Sequence, residues 1–183
     1  MNHCGVCGNS DVFSGGVSPQ RGLGNTLLKL SCNHHICLKC AEDTIKMDSH
    51  NACPKCGIFL ANDINKLFTD HLNDPENKLA FEHGFQNGAV IWTYSGANGK
   101  KWAYTRDQCK SIEEAYEEFL IDGTKKEFRL NVSNGSWYIL NFDSMQQSNF
   151  NDNNKTRNLD RFEMDSYQDI IDNDVIGISG KRI

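Results

Sequence analysis

Seven cysteines, with His34 set among them, crowd into the first 56 residues at spacings that suit a metal better than a disulfide framework. They run Cys4-x2-Cys7, Cys32-x-His34-x2-Cys37-x2-Cys40 and Cys53-x2-Cys56. Seven is odd, a histidine is embedded among them, and three cysteine pairs keep the two-residue gap that lets both sulfurs of a knuckle reach one ion. Thiolates and an imidazole are soft to borderline donors that suit tetrahedral zinc. Eight ligands make two complete four-ligand sites with no open position, so the expected role of two zinc ions is structural, not hydrolytic. Each zinc contributes on the order of 10 kcal/mol in small metal-folded domains, which accounts for a short segment with few large apolar side chains. Cys4 stands too near the start for a leader to be removed without losing it, and reduced thiols imply the cytoplasm or nucleus.

This order of ligands resembles the RING finger, over residues 4–56. The resemblance implies a cross-brace in which Cys4, Cys7, Cys37 and Cys40 bind one zinc and Cys32, His34, Cys53 and Cys56 the other. His35 competes with His34, but Cys-x-His-x2-Cys is the family spacing and Cys-x2-His-x-Cys is not. RING fingers look like ubiquitin ligase modules: they carry no nucleophile and bring a charged ubiquitin-conjugating enzyme close to substrate. No catalytic side chain is therefore expected on this chain. The resemblance puts Val6, inside the first knuckle, and Pro54, in the Cys-Pro-x-Cys knuckle, at the conjugating-enzyme contact. Their plainer roles would be a zinc-loop packing residue and a turn-former. Residues 41–52 lack the Trp that many RINGs carry there, leaving Ile45 or Met47 to serve, and Gly57 stands where active ligases often place a basic side chain.

The whole chain has 183 residues, 38% hydrophobic and 23% charged, enough for one medium domain or two small ones. A formal net charge of −5 argues against a general nucleic-acid or acidic-membrane binder, so direct DNA binding is not expected. The longest apolar runs, such as Ile58 to Ala61 and Ala89 to Trp92, are far too short for a membrane span. Beyond the last cysteine, Ile58, Phe59, Leu60, Ile64, Leu67 and Phe68 are too apolar for a free linker and are expected to pack. Asp74 to Gly84 reads as a short helix, with Asp74 as N-cap, Pro75 in the first helical position and Gly84 as terminator. Such a packed bridge would hold the two halves in a fixed relation. His3, His50, His71 and His83 lack ligand spacing and read as surface or cap residues.

From residue 89 the pattern changes. Ala89–Tyr94 reads as a strand, Asn98-Gly99 as a hairpin turn and Lys101–Tyr104 as the returning strand. Ser111 with Glu114 reads as a capping box opening a short helix, whose Ile112, Ala115, Tyr116 and Phe119 share one face. Phe128, Leu130 and Val132 alternate as a strand, Asn134-Gly135 turns, and Trp137–Phe142 returns. The expected fold class is α+β: a small zinc-stabilised finger followed by a domain with one helix across a curved antiparallel sheet. Cys109, just before the expected capping box, reads as a small buried thiol.

Residues 87–163 resemble the WWE domain: Trp92, Trp102 and Glu113 stand for its two tryptophans and glutamate. Trp-x-Tyr at 92–94, Ile-Glu-x-Ala-Tyr at 112–116 and Gly135-x-Trp-Tyr-x-Leu-x-Phe support the match. So do Ser144 to Asn149 and Thr156 to Arg161. The order of RING finger (1–57), helical bridge (58–86), WWE half-barrel (87–163) and tail (164–183) resembles the Iduna-type poly(ADP-ribose)-dependent ubiquitin ligases. In those relatives the WWE domain binds iso-ADP-ribose, the internal unit of poly(ADP-ribose), and the ligand also switches on the RING. The resemblance implies that Tyr94, Trp102 and Tyr138 form an aromatic wall, Gln147 reads adenine and Arg157 binds phosphate. Trp92 is expected in the core and Glu113 in a structural role. The partners implied are a ubiquitin-conjugating enzyme, ubiquitin and poly(ADP-ribosyl)ated proteins. Ala97 and Ile176 depart from an arginine and a lysine of the relatives, although Lys181 and Arg182 follow closely. Residues 89–163 hold ten Lys/Arg against eleven Asp/Glu, so binding would depend on a few aimed groups, not a broad basic field. Rival readings are a ligase whose WWE domain binds protein, and a zinc-stabilised adaptor without activity.

Overall fold

The chain folds as two units, Met1–Gly84 and Phe85–Ile183. The computed structural model describes residues 3–8, 26–48, 50–86, 88–97, 99–132 and 135–183, apart from the side chain of residue 153. In the first unit, β1 (Leu27–Lys29) pairs antiparallel with β2 (His35–Cys37), with Leu28 opposite Ile36. Helix α1 (Leu38–Lys46) follows at once, and Cys37 is its N-cap: the backbone is extended and Sγ accepts the Cys40 N–H. Asp63 caps α2 (Ile64–Leu72) through the Lys66 N–H. Asp74 caps α3 (Pro75–His83), Pro75 opens it, and Gly84 ends it in the left-handed conformation, as the sequence pattern anticipates.

The core of this unit is small. Leu28, Leu30, Ile36, Leu38, Ala41 and Ile64 are buried together with Cys4, Cys37 and Cys53. Leu60, Leu67, Phe68 and Phe81 pack against them, the two phenylalanines edge to face at 5.4 Å. Two bridge residues expected to pack do not: Phe59 is 82% exposed and Ile58 57%. Their segment is held by its backbone instead. The Cys53 N–H donates to the Ile58 carbonyl at 2.9 Å, and Phe59 bridges to Ala52.

The second unit is an eight-stranded sheet in the order β10-β9-β4-β3-β8-β7-β6-β5. Its members are β3 (Ala89–Ser95), β4 (Lys101–Ala103), β5 (Glu127–Asn131), β6 (Trp137–Asn141), β7 (Gln146–Asn149), β8 (Asp152–Met164), β9 (Val175–Ile178) and β10 (Lys181–Arg182). The long β8 joins two halves, pairing with β7 through its first residues and with β3 through its last. Helix α4 (Arg106–Asp122) contacts both β3 and β5, which stand four strands apart. In a flat sheet that separation would be about 19 Å, against about 10–12 Å for a helix with its side chains, so the sheet must curl around α4.

One knot fixes α4 on the inner face. Trp92 is fully buried, and its indole N–H donates to Glu113 Oε2 at 2.8 Å. Arg161 grips the same carboxylate with two parallel bonds, Nε to Oε2 at 2.9 Å and Nη2 to Oε1 at 2.6 Å. Tyr116 packs edge-on to the Trp92 ring at 5.1 Å, and Phe142 and Phe119 complete the cluster.

Three expectations change. The helix opens at Arg106, not at Ser111: Thr105 is the N-cap, and Thr105 and Gln108 form the capping box. Ser111 lies inside the helix and bonds back to the Asp107 carbonyl, a choice open to any helical serine with no orphan amide to cap. The sheet is not wholly antiparallel, because β9 runs parallel to β4. Of residues 164–183, expected as a tail, Met164 ends β8 and the rest forms α5 (Tyr167–Asp172), β9 and β10, burying Ile170, Val175 and Ile178. The turn residues Asn98 and Asn134 lie outside the described residues, while Gly99 and Gly135 have the left-handed backbone that such turns need.

The knot makes an acid-stability prediction. Burial pushes the Glu113 carboxyl up, but its bonds from Arg161 and Trp92 outweigh this and hold it below its ordinary value of 4.5. A carboxylate with a lowered folded pKa stabilises the fold fully above its unfolded pKa, and that contribution is lost as pH falls through the folded value. Glu113→Gln should therefore cost about 1–2 kcal/mol at pH 7 and flatten the loss of stability below about pH 4.5. Urea unfolding followed by tryptophan fluorescence at several pH values checks this, since all three tryptophans lie in the second unit.

Candidate functional site

The cysteine-rich unit converges on two four-donor groups: Cys4, Cys7, Cys37 and Cys40, and Cys32, His34, Cys53 and Cys56. Within each, the donor atoms lie within 4.8 Å of one another. The groups interleave along the chain, the first and third pairs meeting in one and the second and fourth in the other. Zn–S bonds of about 2.3 Å give a tetrahedron with edges of about 3.8 Å, slightly shorter where nitrogen replaces sulfur. Cys7 and Cys37 sulfurs are 3.8 Å apart, and His34 Nδ1 is 3.6 Å from both Cys32 and Cys53 sulfurs. The donors thus fit two zinc ions, and His35 belongs to neither group.

The backbone favours the ionised form of one of these thiols, Cys4. Cys4 Sγ accepts the N–H groups of Val6 and Cys37, each at 3.4 Å. Burial pushes the Cys4 thiol up, yet backbone donors from Cys7, Cys37 and Val6 bring it down to about 7. Cys109 is the opposite case. It is buried within α4, and burial pushes its thiol up to about 12, so it is an inert packing group under the Trp92 backbone.

Around the zinc groups, Val6 is 52% and Met47 70% exposed, and Pro54 is exposed too. The knuckle loops of Val6 and Pro54 are neighbours, since the Lys55 side chain lies against Gly5. Ile45 is partly buried against the core, so it presents less surface than the other three.

The second unit holds a cavity of about 280 Å³, lined by Tyr94, Tyr104, Gln108, Val132, Tyr138, Gln147, Arg157, Ser179 and Gly180. Strand alternation explains where it lies. On β3, Trp92 meets α4, and two residues on, Tyr94 points to the same face beyond the start of the helix. Gln147 and Arg157 are directly opposite across β7 and β8, so their side chains leave the same face of the sheet. Arg157, the one charged residue of this lining among the described residues, sits over the Tyr94 ring at 5.5 Å from its centroid. Burial pushes the Tyr94 phenol up, and the Arg157 charge only partly opposes this.

Four of the five residues implied for ligand binding thus share one cavity: Tyr94, Tyr138, Gln147 and Arg157. Trp102 is the exception. It faces the same side as Tyr94, but its indole lies on Gly177, where an added Cβ would come within 2.5 Å of the ring. Ala97 is exposed and Ile176 partly buried, and neither lines the cavity.

Five lining residues escaped the sequence reading. Tyr104 had a signal, since alternation from Trp102 puts it on the Tyr94 face. Gln108 had one too, as the fourth residue of the true capping box. Val132 had only its place at the end of an alternating strand. Ser179 and Gly180 had none: they reach the cavity because the Ser179 N–H bonds the Ala103 carbonyl and carries the β9–β10 turn there. Both take positive φ values, 48° and 84°.

Comparison with known families finds that the model of the WWE domain matches residues 90–161, so the chain contains a WWE domain. The matched segment ends before Ser179 and Gly180. No curated protein sequence matches the chain.

The metal groups predict two zinc ions per chain by elemental analysis, unchanged in Cys109→Ser and reduced towards one in Cys56→Ser. A chelator should abolish the helical signal of the first unit. Thermal unfolding of the second, followed by tryptophan fluorescence, should stay within about 2 °C of the untreated protein, because none of its buried groups is a ligand.

Proposed function

We propose that this chain is a RING-type ubiquitin ligase of the Iduna type, which recognises poly(ADP-ribosyl)ated proteins through iso-ADP-ribose binding by its WWE domain. The observation that carries the reading is the convergence of Tyr94, Tyr138, Gln147 and Arg157 on one cavity. Such a cavity offers an aromatic wall to adenine, a carboxamide to its hydrogen-bonding edge and a guanidinium to phosphate. Its size is near the lower end of small-molecule pockets.

The interleaved zinc groups support the ligase half of the reading. They would hold the exposed Val6, Met47 and Pro54 as a shallow contact for a charged ubiquitin-conjugating enzyme. The chain would supply no nucleophile; it would position the ubiquitin thioester near lysines of the bound target. Zinc supplies the rigidity of the loops when bound, and the residues around it supply the contact. Its place of action would be the cytoplasm or nucleus. Among the described residues no helix is long and apolar enough to cross a membrane. A WWE domain that binds protein is the second reading, favoured by the exposed Ala97 where relatives carry arginine.

Calorimetry with iso-ADP-ribose tests the binding half. Gln147→Ala and Arg157→Ala should each weaken binding about tenfold or more, the value of a hydrogen bond to a charged or fully desolvated group. With one aimed guanidinium, binding should fall only about as the first power of salt concentration. Ubiquitin-chain assembly with a panel of conjugating enzymes, with and without that ligand, tests the other half. Val6→Ala should suppress chain formation while leaving calorimetric binding unchanged. Chains without nucleotide binding would favour the second reading.

A further inference from the structure

Tyr104 is nearly fully buried, and its phenol O–H donates to Gln147 Oε1, itself buried at the cavity wall. Burial holds the Tyr104 phenol well above its ordinary pKa, so it stays a protonated donor. A carboxamide has two different ends, and this bond distinguishes them. If the amide turned over, its NH2 group would face the phenol oxygen. The phenol could then only accept, and its own buried proton would have no partner.

We infer that Tyr104 is a positioning residue that fixes which end of the Gln147 carboxamide meets the ligand, and so sets the site's choice between adenine and hypoxanthine bases. The inference rests on the nucleotide-binding reading above. Adenine carries an amino donor at position 6, beside ring nitrogens that accept. Hypoxanthine carries a carbonyl acceptor there and a protonated N1. A carboxamide locked in one orientation complements one of these edges and opposes the other. One free to turn over can satisfy either. The orientation that presents Oε1 to the 6-amino group and Nε2 to N1 suits adenine. In that orientation Oε1 keeps one lone pair for Tyr104 and one for the base. Tyr138, Tyr94 and Arg157 do not make this distinction, because a ring face and a phosphate are the same in both ligands.

The test compares iso-ADP-ribose with its hypoxanthine counterpart, made by deaminating the adenine, on full-length protein by calorimetry. Wild type should prefer the adenine ligand by about 10-fold to 100-fold, the discrimination of a good two-point base contact. Tyr104→Phe should bind the adenine ligand only about two- to fivefold more weakly but narrow the preference to about threefold or less. A purely structural role would weaken both ligands together and leave their ratio unchanged. A ligand-free measurement covers the case in which Tyr104→Phe does not fold. The Tyr104 hydroxyl proton should be visible and slow to exchange by NMR in wild type, and should be lost from the spectrum in Gln147→Ala. Binding of the adenine ligand with an unchanged ratio in folded Tyr104→Phe overturns the inference and leaves the nucleotide reading standing. Absence of binding by wild type overturns both.

Discussion

The second unit depends on one carboxylate. Glu113 receives the Trp92 indole from the sheet's centre and the Arg161 guanidinium from β8, so a single residue of α4 ties two strands to the helix. The pin sits beneath one end of the inner face, and the aromatic cluster of Trp92, Tyr116 and Phe142 fills that end. The other end stays open because α4 begins at Arg106, under a cap made by Thr105 and Gln108. Core and cavity are thus successive positions on the same strands. A step of two residues along β3, from Trp92 to Tyr94, passes from one to the other.

The charge distribution acquires a meaning in that frame. A chain of net charge −5 has no long-range attraction for a polyanion, and its lysines are largely spent on surface pairs such as Lys100 with Asp174 and Lys126 with Asp143. Exposed pairs of that kind contribute little to stability. What remains for an anionic ligand is local: Arg157 stacked over Tyr94, in a partly enclosed space where a charge is less screened than at the surface. Selectivity in such a site would come from the orientation of neutral groups, the part proposed above for the buried phenol behind Gln147.

The first unit solves a different problem by different means. Its apolar core is small for so many loop residues, and two groups of cysteine and histidine donors that could hold metal ions would take over the task of ordering them. The same economy leaves apolar side chains outside. Phe59 and Ile58 are exposed because the Cys53 knuckle holds their backbone, with no core surface left for them to cover.

The two candidate metal groups were legible because metal ligation is a matter of residue type and short spacing, both present in the linear chain. The α3 caps, the strands β3 to β6 and the aromatic face of α4 were legible for a similar reason, being set by neighbours within one or two turns. The start of α4 was misread because Ser111 and Glu114 satisfy the same local pattern as Thr105 and Gln108. Only the packing of Cys109 and Ile112 onto the sheet puts the earlier turn into the helix. Trp102 was implied for the pocket by the resemblance to the WWE domain, yet the glycine that receives its indole lies 75 positions later, on a strand running parallel to its own. The sequence by itself determined the two candidate metal groups, the order from α3 through β6, and four of the nine residues that line the cavity. Tertiary structure alone decided that the β9–β10 turn closes the cavity and that Tyr104 holds Gln147. Those contacts join residues tens of positions apart, through a curvature that arises only when the sheet wraps a helix.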